Sequence, residues 1–207
     1  RITAAMHRRG PDGSGVHAAG AVALGHRRLK VIDLSERGAQ PMVDPELGLS
    51  CVFNGCVYNY RELRAELESA GYRFFSRSDT EVVLKAFHRW GGGCVRRFHG
   101  MFAFAVVERD SGTVTLARDR LGIKPLYLSA DGTRLRFASS LPALLAGGGV
   151  DTTLDPVALH HYLSFHAIVP PPRTILQGVR KLPPATVRTV RADGHVADEC
   201  YWRPVHE

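Results

Sequence analysis

The sequence predicts an α+β fold in which two antiparallel sheets pack face to face with helices outside them, and three observations favour it. A continuous apolar run at 101–107 is typical of a strand buried on both faces. Turn signals at 109–112, 131–132 and 193–194 each separate two apolar segments, which predicts three hairpins. Only a few helices are predicted, and each has a recognisable start or end signal. No internal repeat or low-complexity linker precedes about residue 202, so one domain is the simplest arrangement.

The remaining strands and the helices follow from local patterns. Short apolar segments at 20–24 and 50–54 are two further strand candidates. Asn59 followed by Glu62 has the spacing of a capping box, and Ser78 followed by Glu81 repeats it. Apolar stripes at helical spacing follow both signals. The four predicted helices span 60–70, 79–90, 140–146 and 155–165.

Composition narrows the class of protein. The chain has 207 residues and a formal net charge of +7, but its arginines are scattered and do not alternate with aromatic residues. A solvated basic surface is therefore favoured over a nucleic-acid partner. The absence of a run of about 18 uncharged apolar residues argues against a membrane partner. Four cysteines without a C-x-x-C pair predict reduced thiols, no metal site and a cytoplasmic protein.

Three polar clusters, at 24–33, 53–60 and 78–82, carry the chemical signal. Arg28 offers a guanidinium for a carboxylate, and Asp79 offers a carboxylate for an ammonium group. The amide of Asn54 beside the N–H of Gly55 suits an oxyanion. Together these groups match a free α-amino acid. Each also has a structural interpretation: Arg28 as a surface arginine, Asn54–Gly55 as a type I′ turn, and Asp79 as a partner of the helix dipole.

In this order the clusters resemble the glutaminase domain of class II glutamine amidotransferases, specifically the asparagine synthetase family. Motifs along nearly the whole chain carry the resemblance: 9–12, 26–33, 40–41, 54–60, 78–82, 100–104, 118–127, 172–175, 181–184 and 201–202. The resemblance implies an Ntn-hydrolase fold, a four-layer αββα sandwich of two antiparallel sheets. It also implies a glutaminase domain over 1–202 that lacks its first residues, with 203–207 beginning a linker to an absent synthetase domain.

The resemblance further implies a role for each site residue. Asn54 and Gly55 form the oxyanion hole, Arg28 holds the glutamine α-carboxylate and Asp79 its α-ammonium group. The implied pocket lining is Leu29, Lys30, Val31, Ile32, Asn54, Gly55 and Cys56. The nucleophile is a cysteine at the mature N-terminus, whose α-amine acts as its base. The chain begins after the family's Met-Cys-Gly-Ile opening, so we expect residues 1–207 alone to be inactive.

Ammonia would pass to a C-terminal synthetase domain of the same chain, which uses ATP and magnesium; residues 1–207 need no cofactor. Cys56, Ser140 and the segment 160–166 look closer to N-acetylglutaminylglutamine amide synthetases, which make an osmoprotectant dipeptide amide, than to asparagine synthetases. Two alternatives stay open. One is asparagine synthesis from aspartate, and the other is a catalytically dead domain that binds glutamine or a partner. A homodimer is a further expectation.

Overall fold

A six-stranded antiparallel sheet lies at the centre of the structure, a computed structural model that describes residues 1–205. The strands are β1 Gly13–Ala19, β2 Val22–Arg28, β3 Met42–Asp44, β4 Leu49–Val57, β5 Gly100–Glu108, β6 Val114–Arg118, β7 Tyr127–Ala130, β8 Leu135–Ala138, β9 Arg180–Lys181, β10 Thr186–Val190 and β11 Val196–Cys200. The central sheet has the order β11–β10–β6–β5–β4–β3. All three predicted hairpins are confirmed, as β5–β6, β7–β8 and β10–β11.

A second sheet layer packs on one face of the central sheet and consists of two separate pieces. One piece is the hairpin β1–β2, and the other is the three-stranded sheet β8–β7–β9. Leu24 and Leu128 from this layer share a buried cluster with Val52 and Leu116 of the central sheet. The inner two layers are therefore held together by an aliphatic core.

Helices cover the outer face of each sheet layer. Their bounds are α1 Ile2–Ala5, α2 Tyr60–Ser69, α3 Asp79–Trp90, α4 Leu141–Ala146 and α5 Pro156–Ser164. Helices α2 and α3 pack on the central sheet through a cluster that includes Leu67, Phe87 and Phe104. Helices α1 and α4 meet on the other side through Ile2 and Leu144. The predicted four-layer α+β sandwich is confirmed. None of the helices within residues 1–205 is long and apolar enough to cross a membrane.

The structure corrects several sequence-based element predictions. Strand β2 does not begin at residue 20 but runs from Val22 to Arg28, and β4 continues to Val57. Residues 24–28 of the first polar cluster and 53–57 of the second therefore lie within strands, and Asn54–Gly55 is not a turn. No pattern predicted β1, whose glycines and alanines give it little apolar character. A Cβ atom at Gly15 would lie 2.3 Å from the Gln40 carbonyl oxygen, so glycine is required there.

The two predicted helix caps have different outcomes. Ser78 caps α3, because its side chain accepts a hydrogen bond from the Thr80 N–H. Asn59 makes no capping bond to α2. Its side chain instead donates to the Arg97 carbonyl at 3.0 Å and accepts from the His99 N–H at 2.9 Å. The capping-box prediction at Asn59 was wrong because the tertiary partners near β5 compete for the same side chain.

Helix α3 is the most deeply buried helix of the described chain. Every residue from Asp79 to Phe87 is buried. Lys85 lies between two carboxylates, 2.9 Å from Asp44 and 3.3 Å from Glu81. Because both carboxylates face one ammonium group, the burial of these charges is partly compensated. The ion pairs fix α3 against β3 and thereby fix the position of Asp79.

Candidate active site

A slot of about 580 Å³ opens between the two pieces of the second sheet layer. Residues 23–27 of β2 form one wall, residues 135–138 of β8 form the opposite wall, and 52–54 and 103–105 of the central sheet form its floor. Within residues 1–205, β2 pairs only with β1 and β8 pairs only with β7. Two strand edges with unpaired backbone groups therefore face the same slot.

Asn54 stands on the floor of this slot, in β4. Its Nδ2 is buried and has no hydrogen-bond partner among the described residues. Gly55 follows it and pairs with Phe102 of β5. A Cβ on Gly55 would lie 2.1 Å from the Met101 carbonyl oxygen, so only glycine allows β5 to approach this closely. The result is a buried amide donor with an unused hydrogen-bonding capacity.

Arg28 ends β2 and is buried, so the surface-arginine interpretation was wrong. Its guanidinium donates to the Ser35 carbonyl at 2.7 Å and also to the Asp33 carbonyl. An arginine has five N–H donors, so these bonds leave others for a ligand. The Asp33 carboxylate accepts from the Arg77 N–H at 2.7 Å, which ties the segment after Arg28 to the start of α3.

Asp79 is the first residue of α3, and its carboxylate accepts from the Val57 N–H at 3.2 Å. Burial raises the pKa of Asp79 above its usual range, while hydrogen bonds from backbone N–H groups oppose that change. Cys56 lies directly before Val57 in β4. Burial raises the pKa of the Cys56 thiol, and the nearby Asp79 carboxylate adds to the effect. Cys56 is therefore protonated near neutral pH.

The other internal cysteines offer no reactive thiolate in the core. Cys51 and Cys94 are buried, and Cys200 is exposed. Burial raises the pKa of Cys94 to about 12 and raises that of Cys51 further. A thiol with such a raised pKa is a poor nucleophile because attack requires the thiolate.

The predicted lining residues after Arg28 lie outside the slot. Leu29 and Val31 are exposed, and Lys30 and Ile32 are half-buried. The Lys30 N–H donates to the Asp12 carboxylate at 2.9 Å, and its ammonium group pairs with Glu36. Of the predicted site residues, only Asn54 lines the slot. The predicted site residues that do not line it are Arg28, Leu29, Lys30, Val31, Ile32, Gly55, Cys56 and Asp79. Their convergence on one glutamine pocket stays a prediction.

Comparison with known proteins decides the family. A family model described as a glutamine amidotransferase domain matches residues 1–202. The chain belongs to this family. Two asparagine synthetases [glutamine-hydrolyzing] of Bacillus subtilis, numbers 1 and 3, are 38% and 36% identical and are matched over 94% of this chain. Asparagine synthetase B of Escherichia coli is 38% identical over 68% of this chain. This is the glutamine amidotransferase domain of the asparagine synthetase family.

The amidotransferase domain spans between a quarter and a third of those relatives, since it covers 30%, 32% and 25% of their lengths. Two solved structures share its fold at 20% identity. The glutamine phosphoribosylpyrophosphate amidotransferase from B. subtilis, complexed with ADP and GMP, gives a TM-score of 0.60 over 88% of this chain and 35% of its own. An allosteric regulatory enzyme of purine biosynthesis gives 0.61 over 88% and 36%. Both confirm the four-layer sandwich fold.

His26 is a residue of the amidotransferase slot that had no assigned role in the sequence analysis. It lines the slot, and its Nε2–H donates to the Phe53 carbonyl at 3.3 Å. Its Nδ1 is buried without a partner in the described part of the chain. Burial lowers the pKa of His26 to about 4, and the positive charge of Arg28 contributes. The sequence analysis identified the motif that contains His26, but it did not predict that the His26 ring is buried.

Two further polar residues organise the site. Gln40 accepts from the Phe53 N–H at 2.7 Å and donates to Thr80 Oγ1 at 3.1 Å. Asp119 accepts from the N–H groups of Phe102 at 3.1 Å and Lys124 at 2.9 Å. Both residues lie in motifs that carried the family resemblance, yet their partners are distant in sequence. No group of three or more metal-ligating side chains comes together within residues 1–205.

Proposed function

We propose that this amidotransferase domain hydrolyses the side-chain amide of glutamine and supplies the ammonia for amidation of an acceptor carboxylate elsewhere in the protein. The observation that carries the proposal is the buried Asn54 amide, which has no partner in the described chain and stands beside Gly55 in an open slot. A preorganised, desolvated donor of this kind stabilises the oxyanion of a tetrahedral intermediate.

The nucleophile in this proposal is a cysteine on an extended segment that occupies the slot. Such a segment would pair with the free edges of β2 and β8 and would bring its thiolate to Asn54. The sulfur attacks the glutamine carboxamide carbon, the C–N bond breaks, and the departing nitrogen takes up a proton as ammonia. Water then hydrolyses the thioester to glutamate and the free thiol. If the cysteine is N-terminal, its α-amine serves as the base.

Arg28 and Asp79 are the residues proposed to bind the charged groups of glutamine. Arg28 would hold the glutamine α-carboxylate with N–H groups that its bonds to Asp33 and Ser35 leave free. Asp79 would accept from the α-ammonium group, and the positive charge of that group would keep Asp79 ionised. Residues 29–32 and Cys56 would complete the pocket. The tie between Asp33 and Arg77 supports this arrangement because it joins the Arg28 segment to α3.

The acceptor we propose is N-acetylglutaminylglutamine, whose amide is an osmoprotectant. The support is the neutral Cys56 and Ser140, where asparagine-synthetase-like chains usually carry glutamate, together with the segment 160–166. Aspartate is a second candidate because the curated relatives are named asparagine synthetases. ATP and magnesium would activate either acceptor in a C-terminal synthetase domain. Glutamine and ATP are both available in the cytoplasm, where we place the reaction.

The test is an assay of the protein encoded by the complete gene with glutamine labelled at the amide nitrogen. Release of labelled ammonium and capture of a glutamyl thioester by mass spectrometry are the expected results. Glutamine binding without ammonium release would instead indicate a catalytically dead domain. Adding ATP, magnesium and either N-acetylglutaminylglutamine or aspartate then identifies the acceptor, because only the true acceptor takes up the label.

A further inference from the structure

The slot holds most of the buried polar atoms that lack a hydrogen-bond partner. Within residues 1–205 these side-chain atoms are His26 Nδ1, Arg27 Nε, Asn54 Nδ2 and His161 Nδ1. The first three belong to residues that line the slot. Native proteins leave few buried polar atoms unpaired, so each of these atoms calls for a partner. Their concentration in one place indicates that the partner is an occupant of the slot.

The hydrogen bond between His26 and the floor of the slot decides what the other ring nitrogen can do. The Phe53 carbonyl can only accept, so in this 3.3 Å contact the ring proton lies on Nε2. Nδ1 is then an acceptor with a free lone pair. Burial lowers the pKa of His26 to about 4, and the charge of Arg28 contributes. The ring is therefore neutral near pH 7, and Nδ1 keeps its lone pair.

The three unpaired atoms of the slot together specify the chemistry of its occupant. His26 Nδ1 needs a donor, whereas Arg27 Nε and Asn54 Nδ2 need acceptors. An anion could satisfy the two donors but not the imidazole. An extended peptide carries both N–H and C=O groups, and the edges of β2 and β8 that stay unpaired within residues 1–205 suit such a peptide. A peptide segment therefore fits the slot better than an ion does.

His26 lies next to the proposed oxyanion donor. Phe53, whose carbonyl accepts from His26, directly precedes Asn54 in β4. Residues 1–3 also line the slot, so any segment that precedes Arg1 in the complete protein would start there. His26 Nδ1 and Asn54 Nδ2 would then face neighbouring groups of the same segment.

We infer that His26 is a positioning residue whose Nδ1 accepts a hydrogen bond from an N–H group of the segment that carries the nucleophilic cysteine. The inference rests on the proposed function, in which that segment occupies the slot. The contact fixes how far the segment enters and thereby sets the distance between the cysteine sulfur and the Asn54 donor. If the cysteine is N-terminal, its α-amine is the N–H group nearest to the sulfur. Donation from this amine to Nδ1 leaves the amine lone pair free for the thiol proton.

Two substitutions separate the roles of the two ring nitrogens. His26→Gln can place an amide N–H where Nε2 lies, so it keeps the Phe53 bond and loses the acceptor at Nδ1. His26→Asn can place an amide oxygen where Nδ1 lies, so it keeps the acceptor and loses the Phe53 bond. The measurement is steady-state glutaminase kinetics of the protein encoded by the complete gene. We expect kcat to fall about tenfold in His26→Gln and by no more than about threefold in His26→Asn, with the KM for glutamine within about twofold of the parent in both.

The order of the two variants is the discriminating result. A merely structural role predicts the opposite order, because His26→Asn gives up the only hydrogen bond that the ring makes within residues 1–205. His88→Gln is the matched control. The His88 ring bonds to the Tyr72 hydroxyl at 2.6 Å and does not line the slot, so kcat should stay within about twofold of the parent. Equal losses of kcat in the two His26 variants, or a larger loss in His26→Asn, would overturn the inference.

A crystal structure of the complete protein tests the contact without any measurement of activity, and it does not depend on how a variant folds. We expect a nitrogen of the segment within about 3.2 Å of His26 Nδ1. A water molecule as the only partner of Nδ1, or an empty slot, would overturn the inference. If the parent releases no ammonium, the proposed function fails, and the crystal structure still decides the contact. If the parent is active but water occupies the position, the inference about His26 alone fails.

Discussion

The side-chain amide of Gln40 makes two hydrogen bonds: its Nε2 donates to the Thr80 hydroxyl, and its Oε1 accepts from the Phe53 N–H. Phe53 precedes Asn54, and Thr80 follows Asp79. One amide group therefore connects the strand that carries the proposed oxyanion donor to the helix that carries the proposed ammonium partner. Strand β3 pairs with β4 only as far as Cys51, so Gln40 takes the place of a neighbouring strand at Phe53.

Removing only the bond between Gln40 and Thr80 should change the KM for glutamine without changing kcat. Thr80→Val removes the hydroxyl at nearly constant volume, so we expect the KM for glutamine to rise about fivefold with kcat unchanged. Gln40→Leu also leaves the Phe53 N–H, next to Asn54, without its hydrogen-bond acceptor, so it should lower kcat as well. Thr80→Ser should restore the parent KM. Steady-state glutaminase kinetics measure both constants, and equal effects on KM and kcat in the two variants would contradict the link.

Asn54→Ala removes the donor proposed for the oxyanion. We expect kcat for glutamine hydrolysis to fall by about 10² to 10³ with a small change in KM, because the bond forms in the transition state. The chain's other asparagine provides a matched control. Asn59→Ala removes bonds to the backbone before β5, so it should lower stability without a comparable loss of kcat. Similar kcat values for the two variants would count against the role of Asn54.

Asp79→Asn removes the charge proposed to hold the glutamine α-ammonium group. We expect the KM for glutamine to rise about thirtyfold, which corresponds to about 2 kcal/mol for a charged hydrogen bond. Synthesis from free ammonia should be unaffected in the complete protein, because ammonia bypasses the glutamine site. Loss of ammonia-dependent synthesis would show instead that the substitution damages the fold.

Cys56 tests whether an internal thiol takes part in the chemistry. Its raised pKa keeps it protonated, so Cys56→Ala should retain substantial glutaminase turnover. Cys56→Glu should leave glutamine binding unchanged or make it tighter, because a carboxylate accepts from an ammonium group better than a thiol does. Trapping of the glutamyl thioester by mass spectrometry is the measurement. A thioester that depends on Cys56 would contradict the assignment of the nucleophile.

The sequence predicted the layered fold because hairpin turns and helix caps are local signals. Ser78 caps α3 as its local signal predicts, whereas the Asn59 side chain bonds instead to backbone groups about 40 positions away. The same limit applies to the site. Residue types identified Asn54 and Asp79, but the contacts that position them come from Gln40, which is 13 residues from Phe53 and 40 from Thr80. No local pattern encodes such partners, since they depend on how the layers pack.

Burial of His26 should make the stability of the domain depend on pH. Its pKa of about 4 in the folded domain lies below the ordinary histidine value of 6.5, because protonation would place a charged, unpaired Nδ1–H in a buried position near Arg28. Between these values the unfolded chain binds a proton that the folded chain does not. The contribution of His26 is therefore fully present above pH 6.5 and falls as the pH decreases towards 4, by about 3 kcal/mol in all.

His26→Gln tests this dependence because glutamine keeps a donor for the Phe53 carbonyl and does not titrate. Urea unfolding of parent and variant between pH 7 and pH 4.5 gives the two slopes. We expect the free energy of unfolding of the parent to fall more steeply with decreasing pH. Carboxylates with lowered pKa values, such as Asp33 and Asp44, remain in both proteins, so the difference in slope isolates His26. Parallel slopes for parent and His26→Gln would mean that His26 is protonated in the folded domain and has a charge partner.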